Sequence, residues 1–383
     1  MIFSMPGVIR ILSPRKASWT ERGFMDIKSL IREEVLSHKA YPVDNNVYPI
    51  RLDANEGPLP VPDDLRNELL SRLSGVSLNR YPQAGSPDLV RRFAGRFGVG
   101  EDCVMIGNGS DELIQILSIA VARPGAEMVI PTPTFAMFTI TPANAGLKII
   151  EIPLDDDFDL DLAKMGERIT LHPPVLTFLA SPNNPTGNCF TAERMVSVIE
   201  QSLGLVVVDE AYFNFSSSGT TLLPLAGRYD NLIILRTLSK VGFAAARIGI
   251  LVGSPELIRE LHKVRLPYNF NALSQAVAGF YLDHEETFLK QAENVRLWRD
   301  ELYSSMLTIN GVHPRRSDAN FIFFSCDFDS DRIYTMLSER GILIKNFNRP
   351  GRLRNFMRVT VGTPEENEIF IKGLEEVIDK QGA

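Results

Sequence analysis

Apolar residues in the middle of this chain fall into short unbroken runs. "CVMIGNG" (103–109), "EMVIP" (127–131), "LKIIEIPL" (147–154), "PVLTFLASP" (174–182), "LGLVVVDEAY" (203–212), "NLIILR" (231–236) and "RIGILVG" (247–253) each read as a buried strand. Between several of them the spacing lengthens to the helical period. "SDELIQILSIAVA" (110–122) predicts a helix with Ser110 as N-cap. "TFAMFTITPANAG" (134–146) predicts one cut short by Pro142, and "TAERMVSVIEQS" (191–202) a third. Unbroken apolar strands alternating with helices imply a mostly parallel sheet covered on both faces, and hence an α/β fold. Ligands of such a sheet gather at the carboxyl ends of its strands.

The flanks read differently. "MDIKSLIREEVLSHKAY" (25–41) predicts a short amphipathic helix leading into an extended arm, and "LDANEGPLPVP" (52–62) a loop. "DDLRNELLSRL" (63–73) returns to helical spacing, and "NRYPQAGSPDLVRRFAGRFG" (79–98) is a turn followed by a basic-faced helix. From about residue 276 long helices lead to "NFIFFS", "GILIKNF" and "FMRVTVG", which read as a small α+β domain. The expected organisation is a leader (1–24), an N-terminal arm joining the small domain (25–58), a large domain (59–275) and a small C-terminal domain (276–383).

Composition narrows the class. With 383 residues and 44% hydrophobic content the chain can bury a large core, and its net charge of −7 argues against a general nucleic-acid or anionic-membrane surface. Its three cysteines form no C-x-x-C pair, so neither a disulfide framework nor a zinc site is suggested, and a reducing cytoplasm fits. No apolar run approaches the ~20 residues that span a bilayer. The leader carries Arg10, Arg15, Lys16 and Arg22 against Glu21 alone. Such a segment suits a transit peptide, a disordered extension, or a start at Met25.

Four strand ends then carry unexpected polar groups. Asp209 follows four apolar residues, where a carboxylate is costly unless paired. "SPNNPTGN" turns around Asn183, Asn184, Pro185 and Gly187; "GNGSDE" offers a helix N-terminus at Ser110 and Asp111, suited to an anion; and "RTLSKVGFAAAR" (236–247) sets Ser239, Lys240 and Arg247 beyond a buried strand. Each alone reads as a cap, a turn or a solvated charge. Neither a dinucleotide fingerprint nor a Walker A pattern is present, Glu112 standing where the third glycine of G-x-G-x-x-G belongs. Together they meet the needs of one cofactor, pyridoxal 5′-phosphate: an amine for its aldehyde, a buried carboxylate for its ring nitrogen, donors for its phenolic oxygen, and a helix N-terminus with hydroxyl and guanidinium for its phosphate.

At these residues the sequence resembles the fold-type I pyridoxal-phosphate aminotransferases, and among them the histidinol-phosphate aminotransferase subgroup. The carrying stretches are "LDANEGP", "RYP", "GNGSDE", "PTFAMF", "SPNNPTGN", "VVVDEAYFNF", "LRTLSK" and "FMRVTVGT", from about residue 25 to the C-terminus. Asn184, Asp209 and Lys240 follow one another at intervals of 25 and 31 residues. The resemblance implies that Lys240 binds the aldehyde and moves the substrate proton, and that Asp209 pairs with the pyridine nitrogen. Asn184 and Tyr212 would hold the phenolate oxygen, and Phe135 would stack on the ring. Ser110, Asp111 (by backbone N–H), Ser239 and Arg247 would hold the phosphate. Tyr81 would reach the phosphate of a neighbouring subunit in a homodimer. Arg358 and Lys345 would anchor the substrate anion, and Tyr41 and Asn55 would line the substrate end. The implied reaction is ping-pong transfer between L-histidinol phosphate and 2-oxoglutarate.

Three departures bear on this. Arg247 follows Lys240 by seven residues, where many relatives have eight; Gly57 stands where the family often has Asn; and Lys345 replaces an Arg, keeping the charge but losing the planar fork. An aromatic amino-acid aminotransferase and a threonine-phosphate decarboxylase therefore stay open on the same scaffold. A regulator with an aminotransferase-like module would need a DNA-binding domain upstream, which a 24-residue leader cannot form.

Overall fold

The computed structural model describes residues 26–37, 40, 42 and 44–382. The leader 1–24 and Tyr41 lie outside the described residues. The chain divides into two units after Pro42. In the first, a 3-10 turn at Ile27–Leu30 and one α-turn at Glu33–Leu36 replace the single helix expected there. Ile31 and Arg32 between them are extended, and none of the residues in the two turns is buried. Segments this short have no intrinsic helical stability, and here no packed face supplies it.

The described residues of the second unit hold thirteen strands: β1 (Ile50–Arg51), β2 (Val104–Asn108), β3 (Glu127–Thr132), β4 (Lys148–Pro153), β5 (Leu176–Ala180), β6 (Leu205–Asp209), β7 (Leu232–Thr237), β8 (Ile248–Val252), β9 (Val312–Pro314), β10 (Phe321–Cys326), β11 (Ile342–Leu343), β12 (Lys345–Asn346) and β13 (Phe356–Thr360). Seven form one sheet in the order β2-β8-β7-β6-β5-β3-β4. All run parallel except β8, which is antiparallel to both neighbours. The unbroken apolar runs are explained by two cores, one on each face. Val206 and Val208 of β6 enter one, and Val207 the other.

The expected helices form at Ser110–Val121, Met137–Asn144 and Ala192–Gln201. Two details differ. Gly109, with φ 82°, is the N-cap, and Ser110 is the first helical residue with no capping bond. Pro142 lies inside its helix, which runs on to Asn144. A further helix, Leu162–Leu171, packs Met165 and Ile169 inward and went unread in the acidic stretch before it.

A second sheet runs β12-β13-β10-β9, antiparallel throughout, and β1 pairs with β11. Beyond β1 the chain is stitched on: Leu52 donates to the Leu343 carbonyl at 2.7 Å, and Thr360 donates to the Leu52 carbonyl at 2.8 Å. No helix among the described residues is long and apolar enough to cross a membrane.

Candidate active site

The parallel strands end along one edge of the large sheet, and because β8 runs the other way it begins there. That reversal brings Arg247, the residue before β8, to the edge where β2, β5, β6 and β7 end. A cavity of about 350 Å³ opens at this edge. Nine of the candidate residues line it: Ser110, Asp111 and Phe135 from the helix-start side, Asn184, Asp209 and Tyr212 from the middle, and Ser239, Lys240 and Arg247 from the far side.

Asp209 closes the floor. It is only 5% exposed, and its carboxylate accepts a hydrogen bond from the Ala211 N–H at 2.9 Å. Burial pushes its carboxyl up to about 7, opposed by that hydrogen bond and reinforced by the charge of Asp111. A buried carboxylate of this kind, in no ion pair among the described residues, matches a site built to receive a protonated ring nitrogen. Lys240 faces the same space, its Nζ donating to the Ala54 carbonyl at 3.4 Å and lying 5.7 Å from the Tyr212 ring centre.

The anion end is assembled from backbone and side chains. Gly109 and Ser110 open the helix Ser110–Val121, whose first N–H groups have no partner within the helix. Close packing beneath them depends on Gly249 of β8: a Cβ there would stand 2.4 Å from the Gly109 carbonyl carbon and 2.5 Å from the Ser110 nitrogen. The Arg247 guanidinium donates to Asp111 Oδ2 at 2.9 Å and to Ser239 Oγ at 3.4 Å. Between Lys240 and Arg247 the backbone takes positive φ at Gly242 (99°) and at Arg247 itself (52°). Gly57 fits the same turn: a Cβ there would lie 2.8 Å from the Gly242 nitrogen. Two guanidinium donors, free helical N–H groups and hydroxyls in one concavity are a phosphate-binding donor set.

The ring-side polar group is Tyr212, 6% exposed. Its oxygen accepts from Asn55 Nδ2 at 2.9 Å and Asn184 Nδ2 at 3.4 Å. Phe135 lines the cavity and meets Phe138 edge-on at 5.6 Å. The residues present therefore fit pyridoxal 5′-phosphate at its amine, ring and phosphate contacts.

Other candidates fall elsewhere. Asn55, expected at the substrate end, is 1% exposed and is not among the lining residues. Arg358 is 6% exposed; its guanidinium donates to Asn184 Oδ1 and the Asp53 carbonyl. Lys345 stands opposite Arg358 across the β12–β13 pair, so the two cations share a face. Tyr81 is outside the cavity and 79% exposed, stacked on Tyr268 with ring centres 4.4 Å apart.

Several lining residues were not read from the sequence. Thr237 accepts from the Ser239 N–H at 3.1 Å and donates to the Ile248 carbonyl at 2.9 Å, fixing the turn before Lys240. Its place two residues before Ser239 was the available signal. Glu56 also borders the opening. Glu210, next to Asp209, points away: it takes the Arg236 guanidinium at 2.6 Å and the Leu222 N–H at 2.7 Å, tying β6 to β7. Asn183 braces its turn by donating to the Pro133 carbonyl at 3.0 Å.

Known proteins resemble this chain in sequence and in fold. The family model described as aminotransferase class I and II matches residues 48–374. Histidinol-phosphate aminotransferase 2 of Nitrosococcus oceani is 44% identical over 348 residues, covering 90% of this chain and 96% of its own. Histidinol-phosphate aminotransferase of Aquifex aeolicus is 37% identical over 350 residues, covering 91% and 98%. Among solved structures, histidinol-phosphate aminotransferase from Sinorhizobium meliloti in complex with pyridoxal-5′-phosphate matches with a TM-score of 0.84 at 23% identity, covering 92% and 98%, a likeness of fold.

Proposed function

The chain belongs to the aminotransferase class I and II family, and from that premise we propose that it is a pyridoxal-phosphate aminotransferase acting on L-histidinol phosphate with 2-oxoglutarate, giving imidazole acetol phosphate and L-glutamate. The observation that carries the reading is the buried Asp209 carboxylate facing Lys240 across one cavity whose other end is a phosphate-binding donor set. The names of relatives 37–44% identical over nine-tenths of the chain support the substrate.

When bound, the cofactor supplies an aldehyde to capture amines and a protonated ring to spread the charge left at the substrate α-carbon. The chain's own residues do the rest. Asp209, ionised against the ring nitrogen, keeps the proton there. Ser110, the N–H of Asp111, Ser239 and Arg247 fix the phosphate and so the ring's position. Tyr212 and Asn184 hold the phenolate oxygen, and Phe135 covers the ring face. The Lys240 amine would take the proton from the substrate α-carbon and give it to the cofactor's C4′ carbon, across the intervening nitrogen. Neither Arg358 nor Lys345 lines the cavity; they remain the cations for the substrate's anionic group because Arg358 is held on Asn184, which does line it, and Lys345 stands opposite Arg358. The two half-reactions share one site, so the kinetics are ping-pong.

The same proposal makes the active unit a homodimer. Tyr81 and Tyr268 stack in the open, and Leu78 and Leu266, two or three residues from them along the chain, are exposed as well, apolar groups suited to burial against a second copy. It also places the enzyme in the cytoplasm, in keeping with three unpaired cysteines.

Lys240→Ala tests the centre. The loaded variant is expected to lose the visible absorbance of the lysine-bound cofactor and at least ~10³-fold in turnover; full activity would overturn the assignment. For the substrate, kcat/KM is expected to favour histidinol phosphate over phenylalanine. A preference for phenylalanine would make the chain an aromatic aminotransferase. Release of CO₂ from threonine phosphate, with no half-reaction with glutamate, would make it a decarboxylase.

A further inference from the structure

The Tyr212 oxygen is held from two sides by amides whose orientations are fixed independently. Asn55 Oδ1 accepts the Thr360 hydroxyl at 3.2 Å, and Thr360 Oγ1 in turn accepts the Asn55 backbone N–H at 3.0 Å. With its oxygen so occupied, the Asn55 amide turns Nδ2 to Tyr212 at 2.9 Å. Asn184 is set the same way by Arg358, which donates to Oδ1 and leaves Nδ2 for Tyr212 at 3.4 Å. Thr360 and Arg358 are alternate residues of β13, so one face of one strand orients both amides.

A phenol oxygen has one hydrogen to give and two lone pairs to receive with. Two N–H donors occupy the receiving directions. Among the described residues the Tyr212 hydroxyl donates to none, and its side chain lines the same cavity as Asp209 and Lys240, the Lys240 Nζ lying 5.7 Å from its ring centre. Asn55 holds φ at +55° and is 1% exposed, a conformation Asn tolerates better than most residues and which carries its amide to this spot.

We propose that Asn55 is a positioning residue for the Tyr212 hydroxyl: it fills an acceptor direction of the phenol oxygen, aims the O–H into the cavity, and so fixes the hydrogen bond to the phenolate oxygen of the pyridoxal ring. This rests on the cofactor reading above. Donors on the phenol oxygen also make its O–H a stronger donor. Charge withdrawn from the ring's phenolate oxygen lowers the basicity of the nitrogen linking Lys240 to the cofactor. Asn55 thereby helps keep that nitrogen unprotonated at neutral pH without touching the substrate.

The test is a pH titration of the visible absorbance of the loaded enzyme. For Asn55→Ala the midpoint is expected to rise by roughly 0.5–1 pH unit, the scale of one lost hydrogen bond. For Asn55→Asp it should rise further, because a carboxylate oxygen would draw the Tyr212 hydrogen out of the cavity. Thr360→Val, which keeps the Asn55 side chain but removes the partner of its Oδ1 and of its backbone N–H, should move the midpoint the same way by less, and decides the matter if the Asn55 variants do not fold. A purely structural role would lower thermal stability and leave the midpoint alone. Loaded variants that titrate like the wild type would overturn the inference while the cofactor reading stands. A wild type that shows no visible band with pyridoxal phosphate would overturn both.

Discussion

At the scale of single residues, Asp209 carries the sharpest consequence. Its carboxyl is raised from 3.8 to about 7 in the cofactor-free fold, first by burial. A folded-state value above the unfolded one means the fold holds the proton more tightly. That contribution is fully present below about pH 4 and is lost as pH rises through about 7. Urea unfolding of the cofactor-free protein should therefore show a declining stability over this window. Asp209→Asn should flatten the decline and be more stable than wild type above pH 7, by on the order of a few kcal/mol, while holding the cofactor less well. Parallel stability curves for the two proteins would contradict this. The residue types needed here were legible: a carboxylate after "LVVV" and an amine after "NLIIL" are conspicuous. The place of Asn55 was not, since its partners Tyr212 and Thr360 lie 157 and 305 residues away.

At the scale of elements, the strand runs could be read because both sheet faces are covered, which leaves each strand apolar throughout. The antiparallel course of β8 could not be read, since an apolar run carries no direction. Yet that course is what delivers Arg247 beside Ser110. It also presses Gly249 under the start of the helix Ser110–Val121. Gly249→Ala is expected to cost at least ~1–3 kcal/mol, because the colliding atoms are backbone. It should also weaken binding of the cofactor's phosphate by displacing the first helical N–H groups. Equilibrium unfolding and cofactor titration check the two effects. Wild-type values in both would mean the strand and helix can part at no cost. The single helix expected over 25–41 failed for a related reason: amphipathic spacing marks a face, and a short helix forms only where something packs against it.

At the scale of the whole molecule, the exposed Tyr81–Tyr268 pair lies outside the cavity of its own chain. If the partner chain completes the phosphate site, sedimentation should give twice the chain mass, and Leu266→Glu should give a monomer of low activity. A fully active monomer would remove the shared site. What the sequence by itself determined was the class of chemistry: a lysine, a carboxylate and an asparagine where buried runs end name the cofactor because few other ligands need all three, and their intervals resemble those of the aminotransferase family. What only the tertiary structure decided was which groups touch. Arg358 is buried against Asn184 and Lys345 faces it across a strand pair; Asn55 reaches Tyr212 through Thr360. Apart from the Lys345–Arg358 pair, those contacts join residues 157 to 305 positions apart, and their geometry is set by sheet register and chain direction, which periodicity in a sequence does not encode.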